Sequence, residues 1–271
     1  MTIVNSIMTT IFDALLRPFA GLSAWYGIAV VSLLTGVIML LIFRCTSNQR
    51  AIRRAKDRIR AHLLELRLYR DDMGVLLRAQ KDILVNDLIY LGHALVPLVV
   101  MVVPVVLVLV QLNARYGYQP VRPGESVIIA AKLQPGARLD AAAKLVVPKG
   151  LRVETPPLRI PALNEVDWRV RGERPGRYEV QVLVGDQNGE KAVTVSRGWA
   201  RLTRVVGRGF WHDLYDPGEL PSMGPQFESI AVGYQPASLP LGRWHVHWLV
   251  AFFILSIAFG FALKGVLRVE V

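Results

Sequence analysis

Residues 88–112 read LIYLGHALVPLVVMVVPVVLVLVQL. This run of twenty-five residues contains no Asp, Glu, Lys or Arg. A helix rises about 1.5 Å per residue and the hydrocarbon core of a bilayer is roughly 30 Å thick, so about 20 such residues cross it. Two further blocks repeat the pattern without a charge: 25–43, nineteen residues, and 244–263, twenty residues. Hydrophobic residues make up 52% of the 271, and nothing else in the chain is large enough to bury three such helices as a soluble core. The expected class is therefore a membrane α-helical protein with three spans. Trp25 and Tyr26 open the first block, and Trp244 and Trp248 flank the start of the third, which suits the preference of such rings for the membrane–water interface.

The placement of charge sets the expected orientation. The net charge is +11, and the short loop 44–87 holds eleven Lys/Arg against six Asp/Glu. Short basic loops stay inside, so 44–87 is expected in the cytoplasm. That puts the N-terminus outside, 113–243 outside, and the tail 264–271, with Lys264 and Arg268, inside. Residues 113–243 carry eighteen Lys/Arg against thirteen Asp/Glu, but long segments translocate largely regardless of charge. The first block is too long for the apolar core of a cleaved signal peptide and precedes its basic cluster, so it reads as an uncleaved anchor. Cys45 is the lone cysteine. It cannot close an intramolecular disulfide, and its position is at the reducing face. The expected location is the cytoplasmic (inner) membrane of a bacterium.

Working outward from the spans, residues 1–24 carry Val4, Ile7, Met8, Ile11, Phe12, Leu15 and Phe19 at three- and four-residue steps, opposite Asn5, Ser6, Thr9, Asp13 and Arg17. This predicts an amphipathic helix ended by Pro18 and Gly21, either flat on the outer leaflet or packed against the outer domain. In 44–87, Ile52, Ala55, Ile59, Leu63, Leu66 and Tyr69 form a stripe, decorated by Arg50, Arg53, Arg54, Arg58 and Arg60. Asp71-Asp72-Met73-Gly74 supplies a turn, and a second arm with Leu76, Leu77, Ile83 and Leu84 runs into the second span. The result is a basic antiparallel helical hairpin. Its arginines are topology determinants first and a binding surface second. Pro97 and Pro104 interrupt the second span, and Asn86, Asp87, Tyr90 and His93 gather at its cytoplasmic end, where ionisable groups face protein or a water-filled cavity.

Residues 113–243 read as an all-β, immunoglobulin-like sandwich without a disulfide. Strands are expected at 126–133, 144–148, 151–154, 166–171, 177–184 and 192–195, with a turn over 185–189. Residues 205–240, rich in Gly, Pro and aromatics, read as a loop covering the membrane-proximal face. The chain has no Gly-rich phosphate loop, no Gly-x-Ser-x-Gly and no His-Glu-x-x-His. His245-Val-His247 at a span entrance suits packing better than metal ligation. No enzyme activity, metal or cofactor is expected.

The order of segments over residues 3–112 is an outer amphipathic helix, a span, a basic cytoplasmic hairpin and a proline-containing span. It resembles the YidC/Oxa/Get membrane-protein insertase superfamily, which includes three-span members. The stretch from Asn86 to Pro104 looks like that family's Asn-Pro-x-Gly-Gly…Pro…Pro motif leading into its next span. The resemblance implies an insertase or insertase-like chaperone with a groove open to cytoplasm and lipid, walled by Ser32, Thr35, Gly36, Asn86, Asp87 and His93. Thr35 stands where bacterial YidC carries an arginine, so the groove would be polar but uncharged. The implied partners are the lipid bilayer, nascent client membrane proteins, and a ribosome or targeting factor at the hairpin. The long insert between the second and third spans departs from the family and implies a partner outside. A second reading is an accessory or structural subunit that binds through its outer domain. A third is a transporter component using Asp87 and His93 as a proton relay.

Overall fold

The computed structural model describes residues 2–19, 21–47, 54, 57–58, 61, 73–137, 142–208 and 222–266, and the side chains of all of these except 2–4, 73–79, 90, 93 and 94. The chain divides into two compact units, Met1–Ile28 with Leu107–Ala251, and Ala29–Val106 with Phe252–Val271.

Helix α1 spans Thr2–Leu16 and ends in a 3-10 turn at Arg17–Phe19, where Pro18 can give no further backbone N–H to the ladder. Helix α2 spans Ala24–Thr46, α3 Met73–Tyr116 and α4 Trp248–Leu263. α2, and α3 from Leu95 to Tyr116, are each long and apolar enough to cross a membrane, with mean hydropathies of 2.5 and 2.9. Only 39% and 22% of their most apolar stretches are buried. Leu33, Leu34, Ile38 and Leu41 on α2 and Leu98, Val99, Val102 and Val103 on α3 are exposed, whereas the core helix of a soluble protein would hide such side chains. α3 runs unbroken for 44 residues through Pro97 and Pro104, so the expected second hairpin arm and second span are one helix. α4 is sixteen residues long and starts later than the apolar run suggests, because Trp244–Val246 is a β-strand.

The unit containing Leu107–Ala251 is dominated by antiparallel sheet. In chain order its strands are β1 Ser126–Leu133, β2 Ala143–Val146, β3 Leu151–Val153, β4 Leu158–Ile160, β5 Glu165–Gly172, β6 Gly176–Val184, β7 Gln187–Val195, β8 Val205–Gly207, β9 Phe227–Val232, β10 Leu239–Leu241 and β11 Trp244–Val246. One sheet runs β3-β5-β1-β9-β8 with β4 also on β5, a second runs β2-β6-β7, and β10 and β11 form a hairpin. The alternation seen in the sequence sets which side chains turn inward. Val127, Ile129, Ala131 and Leu133 of β1 and Val166, Trp168 and Val170 of β5 meet Val180, Val182 and Val184 of β6 and Val193 and Val195 of β7 in one core. At about 25 cal/mol per Å2, burying one Val or Leu side chain contributes roughly 1.5–3 kcal/mol, and many such side chains are buried in this shared core.

Two details differ from the sequence reading. The turn after β6 is Gly185-Asp186 alone, with Gly185 at φ 61 and Val184 paired to Gln187, so β7 starts five residues earlier than expected. Residues 205–240 are not only loop. β9 lies beside β1 in the main sheet, and its Phe227, Ile230 and Val232 are fully buried.

Candidate functional site

Ser32, Thr35 and Gly36 lie on one face of α2, as three- and four-residue spacing requires. Ser32 is fully buried and its hydroxyl donates to the carbonyl oxygen of Phe252 on α4 at 3.3 Å. A Cβ added to Gly36 would stand 3.2 Å from the carbonyl oxygen of Ser256 and 3.5 Å from the Gly260 nitrogen. Glycine is what lets α2 and α4 approach this closely, the usual role of small residues between apolar helices. Beside this contact, Thr35 and Gly36 border a cleft of about 280 Å3, with Met39 from α2, Met101 and Val105 from α3, and Ser256 from α4 among its other walls. Ser256 Oγ is buried and has no hydrogen-bond partner among the described residues. An unpaired hydroxyl in an apolar surround costs roughly 1–3 kcal/mol, which a polar guest group can offset.

The remaining expected groove residues do not join that cleft. Asn86 is buried, but its Nδ2 donates to the carbonyl oxygen of Asp82 one turn back on α3 at 2.7 Å. Asp87 is exposed. Met101, the first α3 residue lining the cleft, is about four turns further along the helix. The cleft is thus apolar except for the hydroxyls of Thr35 and Ser256, and no wall shared by Ser32, Asn86 and Asp87 forms. The His93 side chain lies outside the described residues. Among the hairpin arginines, Arg54 and Arg58 are helical and exposed. Arg50, Arg53, Arg60 and the Asp71-Asp72 tip lie outside the described residues.

A polar centre in the other unit was not singled out from the sequence. Arg115, in the last turn of α3, is nearly buried and pairs with the Asp13 carboxylate of α1. The Arg115 guanidinium also donates to Gln111 Oε1 at 2.8 Å, to the Gln111 carbonyl oxygen at 3.1 Å and to the Thr9 carbonyl oxygen at 3.3 Å, and it lies 5.6 Å over the Phe12 ring. Gln111 Nε2 donates to Thr9 Oγ1 at 3.2 Å, and Arg201 Nη1 reaches the second Asp13 oxygen at 3.2 Å. α1 is therefore packed on protein through Asn5, Thr9, Phe12 and Leu16, while Ile7 and Ile11 on its flank stay exposed. The signal in the sequence was a Gln and an Arg four residues apart at the end of an apolar run. Nearby, Gly27 leaves room for the Tyr116 hydroxyl, and Trp199 packs against the Tyr116 ring with centroids 5.7 Å apart.

Of the two histidines before α4, His247 has a local role. Its Nδ1 accepts the Leu249 N–H at 3.2 Å and caps the helix. Compared with known protein families, characterised proteins and solved structures, the chain shows no significant match.

Proposed function

We propose that the chain is an integral membrane protein of three spans, α2, the 95–116 part of α3, and α4, and that it acts as an insertase-like chaperone for client membrane segments. The observation that carries the proposal is the cleft of about 280 Å3 among exposed apolar helix faces, with Thr35 and Ser256 in its walls and the buried Ser256 Oγ lacking a partner among the described residues. In hydrocarbon each unsatisfied backbone group costs several kcal/mol. In this proposal the Thr35 and Ser256 side chains in the cleft wall turn toward a polar stretch in transit, which lowers that cost without holding the client permanently. In this reading the basic segment 44–87 is cytoplasmic, the N-terminus and the β unit are outside, and the C-terminal tail is inside.

We further assign the β unit to the immunoglobulin-like class. An immunoglobulin sandwich pairs its second strand with its fifth and its fourth with its fifth in one sheet, and its third with its sixth and its sixth with its seventh in the other. If β1 is taken as the second strand, the observed pairs β1–β5, β3–β5, β2–β6 and β6–β7 follow that order. The parallel bridge of Val121 to Val195 takes the place of a first strand lying on the seventh. β9 fills the edge beside β1 that a first strand otherwise takes.

The experiment is photo-crosslinking in the full chain. A crosslinker at position 35 or 256 should capture nascent membrane segments, and one at the exposed Ile38 should capture lipid. Thr35→Leu should slow insertion of clients with short polar tails. Crosslinks from 35 and 256 that reach only neighbouring helices would refute the chaperone role. They would support the alternative of an accessory subunit anchored by its helices, a reading favoured by the close packing of Gly36 against Ser256 and Gly260. Thiol labelling from outside should reach cysteines placed in 113–243 and leave Cys45 unlabelled.

A further inference from the structure

A second concavity, in the unit that holds the β-strands, has a different chemistry from the apolar cleft. It measures about 340 Å3, within the roughly 300–1,000 Å3 of ligand sites. Arg122, Arg197 and His245 line it together with Ser196, Ser238 and Trp199, and no carboxylate does. The backbone segments that carry Arg122 and Arg197 are held side by side. Val121 donates to the Thr194 carbonyl oxygen at 3.2 Å, and Ser196 returns a bond to the Val121 carbonyl oxygen at 2.9 Å, so the residues after each run alongside one another. Gly198 N donates to Ser196 Oγ at 3.1 Å, which tightens the turn bearing Arg197.

Neither guanidinium has a partner among the described residues. The nearest acid to Arg122 in sequence, Glu125, accepts the Arg122 backbone N–H at 3.2 Å and not its side chain. This contrasts with the cavity on the other boundary of Trp199, where Arg115 and Arg201 are both already bound to Asp13. Two arginine forks without a partner among the described residues, a histidine and two serines around one cleft supply the donor types that a tetrahedral oxyanion accepts.

The position of the cleft narrows the source. Pro240, in its wall, accepts a 2.8 Å hydrogen bond from Trp25 Nε1 at the start of α2. His245 lies three residues before the first residue of α4. The cleft therefore borders the beginnings of two apolar helices, where Trp25, Tyr26 and Trp244 supply interfacial rings.

We infer that this cleft binds a phosphate group, carried by an anionic phospholipid headgroup or free in solution. The lipid source rests on the membrane reading above; the phosphate site does not.

The test uses the full chain in detergent, titrated calorimetrically with short-chain phosphatidylglycerol, short-chain phosphatidylcholine and inorganic phosphate. Saturable binding of phosphatidylglycerol, weakened about tenfold by Arg122→Gln and by Arg197→Gln, is the expected result. Arg152→Gln, on the exposed face of β3, should change affinity by less than about twofold. Arg122→Lys and Arg197→Lys keep the charge and should bind more tightly than the glutamine variants, which separates loss of the site from loss of the fold. Binding of inorganic phosphate with the same pattern, and none of lipid, supports the site with a soluble ligand. Binding of phosphatidylcholine as tight as that of phosphatidylglycerol, titration curves that the glutamine variants leave unchanged, or no binding of any probe would overturn it. Client crosslinking at positions 35 and 256 is a separate readout, so failure of the chaperone reading leaves this titration intact.

Discussion

Replacing Asp13 by Asn asks whether the ion pair at the end of α3 holds α1 down. The Asp13 side chain is 53% exposed and that of Arg115 is 8% exposed, so the pair is neither a surface bridge, worth about 0.2–1 kcal/mol, nor a fully buried one, whose breaking costs about 3–5 kcal/mol. An intermediate value of about 2 kcal/mol for Arg115, plus about 0.5 kcal/mol for the more exposed Arg201 contact, gives roughly 2.5 kcal/mol. That is roughly sixtyfold in the opening equilibrium of α1. Arg115→Met should cost less, about 1 kcal/mol, because it removes the buried charge while Asp13 rehydrates and keeps Arg201. The double variant should resemble Arg115→Met. Amide hydrogen exchange over residues 5–16 in the detergent-solubilised chain reads these openings directly. Equal protection in the wild type and Asp13→Asn would refute the reasoning, as would a larger loss in Arg115→Met than in Asp13→Asn.

Four other outcomes follow from the same structure. Residues 113–243 expressed alone should be soluble and β-rich by circular dichroism, and Phe227→Ala in the full chain should cost about 3–5 kcal/mol, since the ring is fully buried. Glu165 and Asp167 are next-but-one neighbours on β5. Burial raises both carboxyls above their ordinary range, and for Glu165 the neighbouring Asp167 adds to the rise. Each therefore binds its proton more tightly folded than unfolded, so stability falls as pH climbs from about 4 through the raised folded values. Glu165→Gln should then raise the melting temperature at pH 7 and change it little at pH 3, and a lower melting temperature at pH 7 would contradict this. Finally, four leucines inserted after Ala262 lengthen α4 by about 6 Å and should reduce client crosslinking at position 35; an unchanged yield would show that the length of α4 has no part in it.

The periodic parts of this fold were legible from the sequence. β1 matches the expected 126–133 to the residue, because one-sided burial enforces strict alternation there. β9 was missed because its alternation fails: the buried residues are Phe227, Ile230 and Val232, and its pairing with β1 shifts at Lys132/Leu133. A period-two search cannot see a strand whose register slips midway. The apolar run 244–263 misled for the opposite reason. Trp244 and Val246 are as hydrophobic as a span requires, but His245 pairs across to Pro240 in a hairpin, and hydropathy does not report pairing. In the cleft, spacing on one helix placed Thr35 and Gly36 together, since the period of α2 fixes that. Which α3 residues face them depends on the relative register of two helices, which no local pattern encodes, so Asn86 was expected where Met101 stands.

The shortened α4 bears on how a nearly apolar cleft could serve as an insertion site. Sixteen helical residues rise about 24 Å, some 6 Å less than a typical hydrocarbon core. A span that short is accommodated by local thinning of the bilayer, at a cost of a fraction of a kcal/mol per Å. α3, by contrast, runs 44 residues and has no such constraint. If α4 is the third span, as proposed, the mismatch is confined to the helix that carries Ser256. In the proposed mechanism thinning would shorten the apolar distance a client's polar stretch must cross, beside the Ser256 hydroxyl, which has no partner among the described residues. An insertase relying on charge would need a groove cation to hydrate the membrane. Here the cleft residues Thr35, Gly36, Met101 and Ser256 provide none, so in the proposed mechanism the reduced barrier comes from thickness, and the two hydroxyls only guide the segment through it.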